Sequence, residues 1–499
     1  MRYLVSGREM QQYDTNTTEY FKVPSLLLME QAALALTEEI KKVASGEERI
    51  LIVCGIGNNG ADGLAAARML LLEGKNADIV SVGERKKATD QWNTQYGILR
   101  SYGFPVLEDI PEDVTYDVVV DAVFGVGLSR DITGIYAEKI NQLNRMAAKK
   151  IAVDVPSGIC SDTGAVLGTA FRADITVTFA FEKTGLYLWP GNEYAGQVIT
   201  KAIGITKESF LGERPAVQAL EEPDIAILPK RLSHSNKGTY GKVLLIAGSI
   251  GMAGAAVLSA KAAYTAGCGL VRVFTPEENR GILQIQVPEA ILTTYIASEI
   301  NISKLNEAMD WADAIICGPG IGKSDTSRQI VKNVLQQKKV PVVLDADALN
   351  LIAEDISCLK DAAAKIIVTP HMGEMSRLTA KKISQIQSHM TETAKAFSKD
   401  YNVVCVLKDE RTVIATPSGS IYLNLSGNNG MATAGSGDVL AGIIGAFAAQ
   451  GMDLEMAGAF GAFLHGMAGD AILPETGYRG MTANDIILGL KKVFADRQI

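Results

Sequence analysis

Short runs of β-branched and other apolar residues alternate with longer, alanine-rich stretches along most of the chain. In the first half, we expect strands at Ile50–Cys54, Ala77–Val82, Val118–Asp121, Ile151–Asp154, Ile175–Phe179 and Gln197–Thr200. Helical patterns precede and separate these runs, beginning with Leu26–Val43 and Gly63–Glu73. Continuously apolar strands that alternate with helices are typical of parallel sheets with crossover helices. The pattern therefore predicts an α/β fold.

A second series of the same kind occupies the second half. Its expected strands are Lys242–Ala247, Gly269–Thr275, Ala314–Cys317, Val342–Asp345, Ile366–Thr369, Val403–Leu407 and Thr412–Thr416. Between the two series, Lys207–Arg231 contains Pro215, Pro223, Pro229 and several acidic residues, which is typical of a connector. We predict one α/β domain over residues 1–212, a connector over 213–232 and a second α/β domain over 233–499. We see no short-period repeat.

Composition limits the class of protein. A chain of 499 residues exceeds one typical domain, and 47% hydrophobic with 21% charged residues provides a large core. The net charge of −8 argues against nucleic acid or an anionic membrane as a partner. The six cysteines form no CxxC pair and the four histidines have no metal-ligand spacing, which favours reduced thiols. Without an apolar signal core or a run as long as a membrane span, we expect a soluble, cytoplasmic protein.

The segment from Asn428 to Gly442 places a glycine-rich turn at the start of an apolar, helix-compatible run. Backbone N–H groups at a helix start, which glycine lets a ligand approach closely, bind phosphate oxygens. Asp438, just inside the expected helix, has the position of a base beside a bound phosphate. A simple glycine turn with an aspartate cap would give the same short pattern, so this segment alone does not distinguish a phosphate-binding site from a structural turn.

Three strand ends in the first half combine glycine with asparagine or aspartate, in the stretches 55–63, 121–131 and 154–158. Because the carboxyl ends of parallel strands meet at one edge of a sheet, we expect these stretches to converge. The first departs from the dinucleotide fingerprint GxGxxG, since Asn58, Asn59 and Asp62 crowd the place of a pyrophosphate. Carboxylate, amide and hydroxyl oxygens suit an alkali or alkaline-earth cation, and a neighbouring aspartate can move protons.

Together with Leu28-Met29-Glu30-Gln31-Ala32-Ala33, these motifs resemble the NAD(P)HX epimerase domain, which implies a Rossmann-like α/β/α sandwich that interconverts the two epimers of hydrated NADH and NADPH. The resemblance implies a potassium ion on Asn59, Asp121 and Ser157, and Asp154 as the proton-transfer residue against the substrate. It further implies substrate contacts from Asn58, Asn59, Gly60, Ala61, Asp62, Gly125, Val126, Gly127, Leu128, Ser129, Arg130, Asp131 and Asp154. The family usually has glycine at positions 33 and 61, where this chain has alanine, and this change affects fine geometry more than activity.

Polar, glycine-containing turns also follow the strands of the second half, at 248–255, 318–322, 345–350 and 369–375. The glycines of the first turn permit close approach of a ligand, although close packing of a helix on a strand explains them almost as well. Residues 408–412 read as a charged, hairpin-like turn. Such a turn is either a solvated tip or, next to a phosphate site, a cover for a nucleotide.

In this order, the motifs resemble the ribokinase-like superfamily and, within it, the ADP- or ATP-dependent NAD(P)HX dehydratase, from about Lys237 to Asn484. The resemblance implies that hydrated NAD(P)H contacts Gly254 or Ala255, Gly322, His371 and Asp438. It implies that ADP or ATP, with Mg²⁺, contacts Lys408, Asp409, Glu410, Arg411, Thr412 and Gly437. Asp438 would then act as the base for phosphorylation of the hydrate's hydroxyl, and loss of phosphate would regenerate the dihydronicotinamide.

The two resemblances predict one bifunctional repair enzyme for hydrated NADH and NADPH, both an isomerase and a lyase. They also imply a homo-oligomer, a tetramer or an octamer. Two alternatives stay open at the level of sequence. One is a ribokinase-like kinase for a small alcohol, and the other is a first half that binds a nucleotide or a partner without catalysis. The fused first half speaks against the former, and Asp154 with the Asn59, Asp121 and Ser157 set speaks against the latter.

Overall fold

The computed structural model of the protein describes residues 1–337 and 339–497. The chain divides into two compact units. Tyr3–Val217 forms the first, called here the N-terminal unit, and Gln218–Ile499 with Met1–Arg2 forms the second, called the C-terminal unit.

The N-terminal unit is built on a six-stranded parallel sheet with the strand order β3-β2-β4-β5-β6-β8. A separate two-residue strand, β7, pairs in parallel with β1. The strands are β1 (Arg2–Val5), β2 (Ile50–Cys54), β3 (Ala77–Ser81), β4 (Val118–Ala122), β5 (Lys149–Val153), β6 (Ile175–Phe179), β7 (Glu182–Lys183) and β8 (Gln197–Lys201). The helices are α1 (Gly7–Thr15), α2 (Ser25–Val43), α3 (Asn58–Leu72), α4 (Asp90–Ser101), α5 (Gly134–Arg145) and α6 (Gly191–Ala195).

Both faces of this sheet are covered, which explains why its central strand β2 reads as a continuous apolar run. Along β2, Ile50 and Ile52 belong to one apolar cluster, while Leu51 and Val53 belong to another. Successive side chains of a strand point to opposite faces, so the two clusters lie on opposite sides of the sheet. Helices α2 and α3 contribute to the first cluster and α5 to the second. The prediction of an α/β/α sandwich is confirmed.

The C-terminal unit contains a nine-stranded run in the order β12-β11-β10-β13-β14-β15-β16-β17-β18, parallel except for the antiparallel β16–β17 and β17–β18 pairs. After β9 (Val217–Ala219), its strands are β10 (Lys242–Ile246), β11 (Leu270–Pro276), β12 (Ile291–Tyr295), β13 (Ala314–Cys317), β14 (Val342–Leu344), β15 (Ile366–Val368), β16 (Val404–Leu407), β17 (Thr412–Ala415) and β18 (Ile421–Asn424). The helices are α7 (Ala253–Thr265), α8 (Arg280–Gln286), α9 (Ile302–Trp311), α10 (Asp325–Gln336), α11 (Asp347–Ile352), α12 (Met372–Thr379), α13 (Ile383–Ser388), α14 (Met390–Tyr401), α15 (Ser436–Ala449), α16 (Leu454–Gly480) and α17 (Ala483–Arg497).

Helix α16 corrects our expectation that no apolar run of the sequence is as long as a membrane span. Helix α16 is long and apolar enough to cross a membrane by length and composition, although we expected no such run. About 67% of its most apolar window is buried within the fold. It also contains Pro474 and a non-helical Gly477. The hydrophobicity of α16 therefore serves the protein core, where it belongs to the same apolar cluster as α15 and α17.

All six cysteines are free thiols, as predicted.

Candidate functional site

At the carboxyl edge of the N-terminal sheet, the backbone after β2 lies so close to itself and to the end of β4 that two of its positions have no room for a side chain. A side chain at Gly60 would put its Cβ 1.8 Å from the Gly55 carbonyl oxygen, and one at Gly55 would reach 2.1 Å from the Val123 carbonyl oxygen. Glycine is therefore required at both positions. The stretch that we read as a turn is in fact the first turn of α3, which begins at Asn58 with Gly57 as its N-cap. Residues 58–62 thus present a helix start to this edge.

Asp121 and Ser157 are joined by two hydrogen bonds next to this edge. The Ser157 hydroxyl donates to Asp121 Oδ1 at 2.7 Å, and the Ser157 backbone N–H donates to Asp121 Oδ2 at 2.8 Å. Both residues are buried. Burial raises the pKa of Asp121 to about 6, although the hydrogen bonds from Ser157 and Val123 oppose the shift. An added positive charge would favour the ionised carboxylate.

Asn59 and Asp154 face each other across Gly125. A Cβ on Gly125 would lie 3.0 Å from Asn59 Oδ1 and 3.4 Å from Asp154 Oδ2. Asn59 Nδ2 is buried without a hydrogen-bond partner among the described residues. Since amide oxygen and nitrogen are assigned from their partners, a flip would place the Asn59 oxygen where Nδ2 now lacks a partner. The glycine thus keeps open a cradle lined by an amide and a carboxylate.

Asp154 follows β5 in a strained backbone conformation, with φ at 65°. Such a conformation in a residue with a side chain is uncommon and concentrates at functional sites. Its Oδ1 atom accepts a hydrogen bond from Lys183 Nζ at 2.5 Å. The pKa of Asp62 is raised well above its usual range, first by burial and then by the charges of Asp154 and Asp14. Asp62 is thus near enough to Asp154 for the two carboxyl groups to interact.

The remaining predicted substrate positions of this unit differ in exposure. Ala61 is fully buried, and so is Ala33, so both alanines that replace the family's glycines pack in the core. The loop after β4 runs outward: Val126 and Leu128 are half-buried, whereas Gly127, Ser129, Arg130 and Asp131 are exposed. Asp121, Asp154 and Ser157, by contrast, are buried.

The side chains expected to hold a potassium ion fit that group. Asp121 and Ser157 contact each other directly, and Asn59 supplies a buried amide end that lacks a partner among the described residues. This is a hard-oxygen set of the kind that alkali cations prefer. Among the described residues, no group of three or more His, Cys, Asp or Glu side chains is placed to hold a metal ion.

In the C-terminal unit, the glycine-rich turn begins helix α15. Gly435 is its N-cap with φ at 88°, and a side chain there would collide with Leu258 of α7 at 2.4 Å. Ser259 of the same helix donates from its hydroxyl to the Asp438 carbonyl oxygen at 2.9 Å. Contacts with α7 therefore fix the turn, and Asp438 lies in the first turn of α15. This arrangement agrees with the predicted helix start.

A buried ion pair lies next to this turn. Lys408 Nζ donates to Asp345 Oδ1 at 3.0 Å, and the Thr369 hydroxyl donates to the same oxygen at 2.6 Å. A Cβ on Gly437 would lie 3.4 Å from Lys408 Nζ and 3.9 Å from Asp345 Oδ2. The ends of β14, β15 and β16 thus deliver one cation and one anion to the glycine turn. The expected charged hairpin is confirmed, since β16 and β17 pair antiparallel around residues 408–411.

The charges of this cluster perturb one another. Burial, then the Asp345 carboxylate, raises the pKa of Asp438 to about 7, and Lys408 opposes that shift. Burial raises the pKa of Glu374 to about 7 as well, again against Lys408. Burial alone would lower the pKa of Lys408, but the carboxylates of Asp345 and Glu374 outweigh it and raise the value. Several titratable groups with perturbed pKa values in one place are typical of a catalytic site.

His371 and Glu374 cap helix α12 reciprocally. His371 Nδ1 accepts from the Gly373 backbone N–H at 2.9 Å, and Glu374 Oε2 accepts from the His371 backbone N–H at 2.9 Å. Burial and the neighbouring Lys408 lower the pKa of His371, so that the ring is neutral at pH 7. The imidazole is 55% exposed, so its capping role leaves the outer part of the ring accessible to a ligand.

The loops that begin α7 and follow β13 are joined by backbone hydrogen bonds. Ser249 N–H donates to the Gly320 carbonyl oxygen at 2.6 Å, and Gly322 N–H donates to Asp347 Oδ2 at 2.9 Å. A side chain on Gly320 would put its Cβ 3.0 Å from the Ala255 Cβ, whereas a side chain on Gly254 would meet nothing within 4 Å. Gly254 therefore faces open space. Gly322 is tied to the acidic end of β14 through Asp347.

Several residues that sequence reasoning did not single out belong to these clusters. They are Lys183, Thr178 and Asp14 in the N-terminal unit, and Asp345, Asp347, Thr369, Glu374 and His465 in the C-terminal unit. His465 lies on α16 with its Nε2 atom 3.2 Å from the Ser436 hydroxyl, and burial lowers its pKa to about 4. The acidic strand ends were visible as motifs. Lys183 and His465 carry no local signal, since each lies far along the chain from its partner.

Comparison with known proteins agrees with the division into two units. The family model for the YjeF-related protein N-terminus matches residues 25–185, and the model for NAD(P)H-hydrate dehydratase matches residues 243–492. The bifunctional NAD(P)H-hydrate repair enzyme of Moorella thermoacetica is 38% identical over 505 residues, covering 97% of this chain and 95% of that protein.

Two solved structures resemble the C-terminal part. A ribokinase-like superfamily protein of Enterococcus faecalis has a TM-score of 0.50 and 31% identity, and the match covers 56% of this chain and 96% of that one. The ADP/ATP-dependent NAD(P)H-hydrate dehydratase of Bacillus subtilis, co-crystallised with ATP and Mg²⁺, has a TM-score of 0.49 and 31% identity over 56% of this chain and 98% of that one. The former confirms the ribokinase-like fold. With the near full-length match above, the chain belongs to the family of bifunctional NAD(P)H-hydrate repair enzymes.

Proposed function

We propose that this protein repairs hydrated NADH and NADPH in two reactions, one in each unit. The observation that carries the proposal is that each unit has a polar cluster built around an aspartate beside a helix start. In the N-terminal unit this is the strained and buried Asp154, and in the C-terminal unit it is Asp438, whose pKa is raised to about 7. The N-terminal unit acts as an isomerase on the R and S epimers of the hydrate. The C-terminal unit acts as a lyase on the S epimer, coupled to hydrolysis of ADP or ATP.

In the epimerase reaction, Asp154 moves the proton and residues 58–62 and 125–131 bind the hydrated nucleotide. This role for Asp154 is supported by its open Oδ2 atom beside Gly125 and by the fixed position of Oδ1. Asn59, Asp121 and Ser157 would hold a potassium ion, which would supply a fixed positive charge beside the Asp121 carboxylate.

In the dehydratase reaction, Asp438 takes the proton of the hydrate's hydroxyl while that oxygen attacks the terminal phosphorus of the nucleotide. The bond from this phosphorus to the bridging oxygen breaks, so that AMP leaves when ADP is the donor and ADP leaves when ATP is the donor. The Gly437 backbone and Lys408, with residues 409–412, bind the nucleotide phosphates and stabilise the developing charge. The C–O bond then breaks, phosphate leaves, and loss of a ring proton restores the dihydronicotinamide. Gly254 or Ala255, Gly322 and His371 hold the hydrate.

Mg²⁺ enters with the nucleotide as part of the substrate. Asp345 after β14 and Glu374 in the first turn of α12 lie beside the proposed phosphate site, where their carboxyl groups would balance the charge of the metal ion. We favour ADP over ATP as the phosphoryl donor, because the family's bacterial members commonly use ADP. We further propose a cytoplasmic homo-oligomer.

The function is tested with a mixture of the two hydrate epimers of NADH. Purified protein with ADP or ATP is expected to restore the near-ultraviolet absorbance of the dihydronicotinamide ring for the whole mixture. Protein without nucleotide is expected to restore none of it. If neither nucleotide restores absorbance, the dehydratase assignment is wrong.

The acid side of the dehydratase pH profile follows from Asp438. Since its pKa is raised to about 7 and the base has to be ionised, kcat/KM measured at low substrate concentrations is expected to fall as the pH drops below 7, by about tenfold per pH unit. The profile is recorded from the rate of absorbance recovery. A rate that stays flat through pH 7 and falls only near pH 4 would contradict a base in this environment.

Substitution of Gly125 by alanine tests the cradle between Asn59 and Asp154. The added methyl would lie 3.0 Å from Asn59 Oδ1 and 3.4 Å from Asp154 Oδ2 and would fill the space kept for substrate. We expect G125A to lose epimerisation about tenfold or more, with unchanged dehydration of the S epimer. The control is G97A on α4, where an added Cβ meets nothing within 4 Å. Equal epimerisation rates for G125A and G97A would show that the cradle is not the substrate site.

A further inference from the structure

Lys183 is almost fully buried, with only 1% of its side chain exposed, and it ends the two-residue strand β7. Strand β1 holds it in place, because Val5 pairs with Lys183 and Leu4 with Glu182 in parallel register. Both Leu4 and Val5 are fully buried. An ammonium group is rarely buried unless it is paired, so the fold has to provide its partners.

The hydrogen bonds of Lys183 account for all its protons. Its Nζ atom donates to Asp154 Oδ1 at 2.5 Å, to the Thr178 hydroxyl at 3.0 Å and to the Phe179 carbonyl oxygen at 3.0 Å. A lysine ammonium carries three donors and no acceptor. With all three in use, Lys183 has none left for a substrate. It is therefore unsuited to act as the proton donor itself.

The same contacts divide the two oxygens of Asp154. Oδ1 accepts from Lys183 Nζ, from the Thr178 hydroxyl at 3.2 Å and from the Phe179 backbone N–H at 3.4 Å. Oδ2 accepts no hydrogen bond from the described residues and lies beside the space above Gly125. One oxygen is thus anchored, and the other is left open toward the substrate.

Resting on the proposed epimerase function, we infer that Lys183 is the positioning residue of that site. It anchors Oδ1 of Asp154 and turns Oδ2 toward the hydrate. The other titratable groups that face this site, Asp62 on α3 and Asp14 on α1, are acidic. Lys183 therefore supplies a positive charge next to Asp154 among these acidic groups.

The test is the pH profile of epimerisation in the full-length K183M variant, in which a neutral side chain of similar length replaces the ammonium. We expect kcat at neutral pH to fall at least about tenfold, and the acid limb to move upward by about one to three pH units. KM should change little, since Lys183 does not contact the substrate. A profile with a normal acid limb would overturn the inference, even if the overall rate were lower.

The control variant is K201M, which removes an equivalent ion pair of the same unit. Lys201 Nζ lies 2.6 Å from the buried Glu39 carboxylate, outside the cluster around Asp154. We expect K201M to keep the wild-type acid limb. A shift in both variants would assign the effect to loss of stability and overturn the inference.

Two further measurements keep the outcomes distinct. Dehydration of pure S epimer, which uses the C-terminal unit, is expected to be unchanged in K183M. If K183M does not fold, K183R decides, because it retains the charge: the inference requires a wild-type acid limb, and a shift of about one pH unit or more would overturn it. Failure of the wild-type protein to epimerise would refute the proposed function and leave no reaction for Lys183 to support.

Discussion

Asp438→Asn is expected to lower the rate of NAD(P)H recovery by about 10²- to 10⁴-fold, the usual contribution of a general base. The amide preserves the size and the hydrogen-bonding shape of the side chain but cannot accept the proton of the hydrate's hydroxyl. Because α7 fixes the turn through Leu258 and Ser259, the backbone of α15 should be unaffected. The measurement is recovery of absorbance from pure S epimer with saturating nucleotide. Epimerisation in the same protein sample should remain at the wild-type rate.

A matched substitution on the neighbouring helix controls for loss of charge near the glycine-rich segment. Asp470 of α16 accepts hydrogen bonds from the Gly427 backbone N–H at 2.8 Å and from Asn428 Nδ2 at 2.9 Å. Asp470→Asn is expected to keep most of the dehydratase activity. If both variants lose activity equally, Asp438 has no special role and the proposed base lies elsewhere.

Asp154→Asn should leave one epimer stranded. The dehydratase would consume the S epimer at the normal rate, and the R epimer would then disappear only as fast as spontaneous interconversion allows. We expect a recovery curve with a fast phase of normal rate and a slow phase, with enzymatic epimerisation reduced about 10²- to 10⁴-fold. The asparagine leaves the Lys183 ammonium without an anionic partner, so the melting temperature of the variant has to be measured alongside the rates.

The control for this substitution lies at the opposite edge of the same sheet. Asp174 precedes β6 and its Oδ2 atom accepts from the Lys150 backbone N–H at 2.8 Å. Asp174→Asn is expected to give a recovery curve with a single fast phase. A single fast phase in Asp154→Asn as well would exclude Asp154 as the proton-transfer residue.

The strand pattern could be predicted from the sequence where strands are buried on both faces. The strands at 50–54 and 314–317 occupy the predicted residues, because a fully buried parallel strand reads as an unbroken apolar run. The strand at 175–179 also occupies its predicted residues, although threonine alternates there with apolar residues. The strands at 2–5, 182–183, 291–295 and 421–424 were missed. They are short or lie at sheet margins, where fewer neighbours constrain the side chains, so hydrophobicity alone does not mark them.

The sites could be predicted only in part, and the reason is sequence distance. Asp154 and Asp438 stand in glycine-containing motifs at element ends, and such motifs are visible in one sequence. Lys183 is 29 residues from Asp154, and Lys408 is 63 residues from Asp345. Neither pairing has a local signature, since only the packing of the sheet brings the partners together. Burial and the nearby Asp345 carboxylate, which raise the pKa of Asp438, are therefore seen only in the three-dimensional structure.

Incubation with pure R epimer tests whether this one chain catalyses both epimerisation and dehydration. The R epimer is not a substrate for the proposed dehydratase, so its repair requires both sites in succession. With nucleotide, the protein is expected to convert R epimer fully to the dihydronicotinamide, and without nucleotide to produce only a mixture of epimers with no return of absorbance. An R epimer that persists unchanged under both conditions would contradict the account.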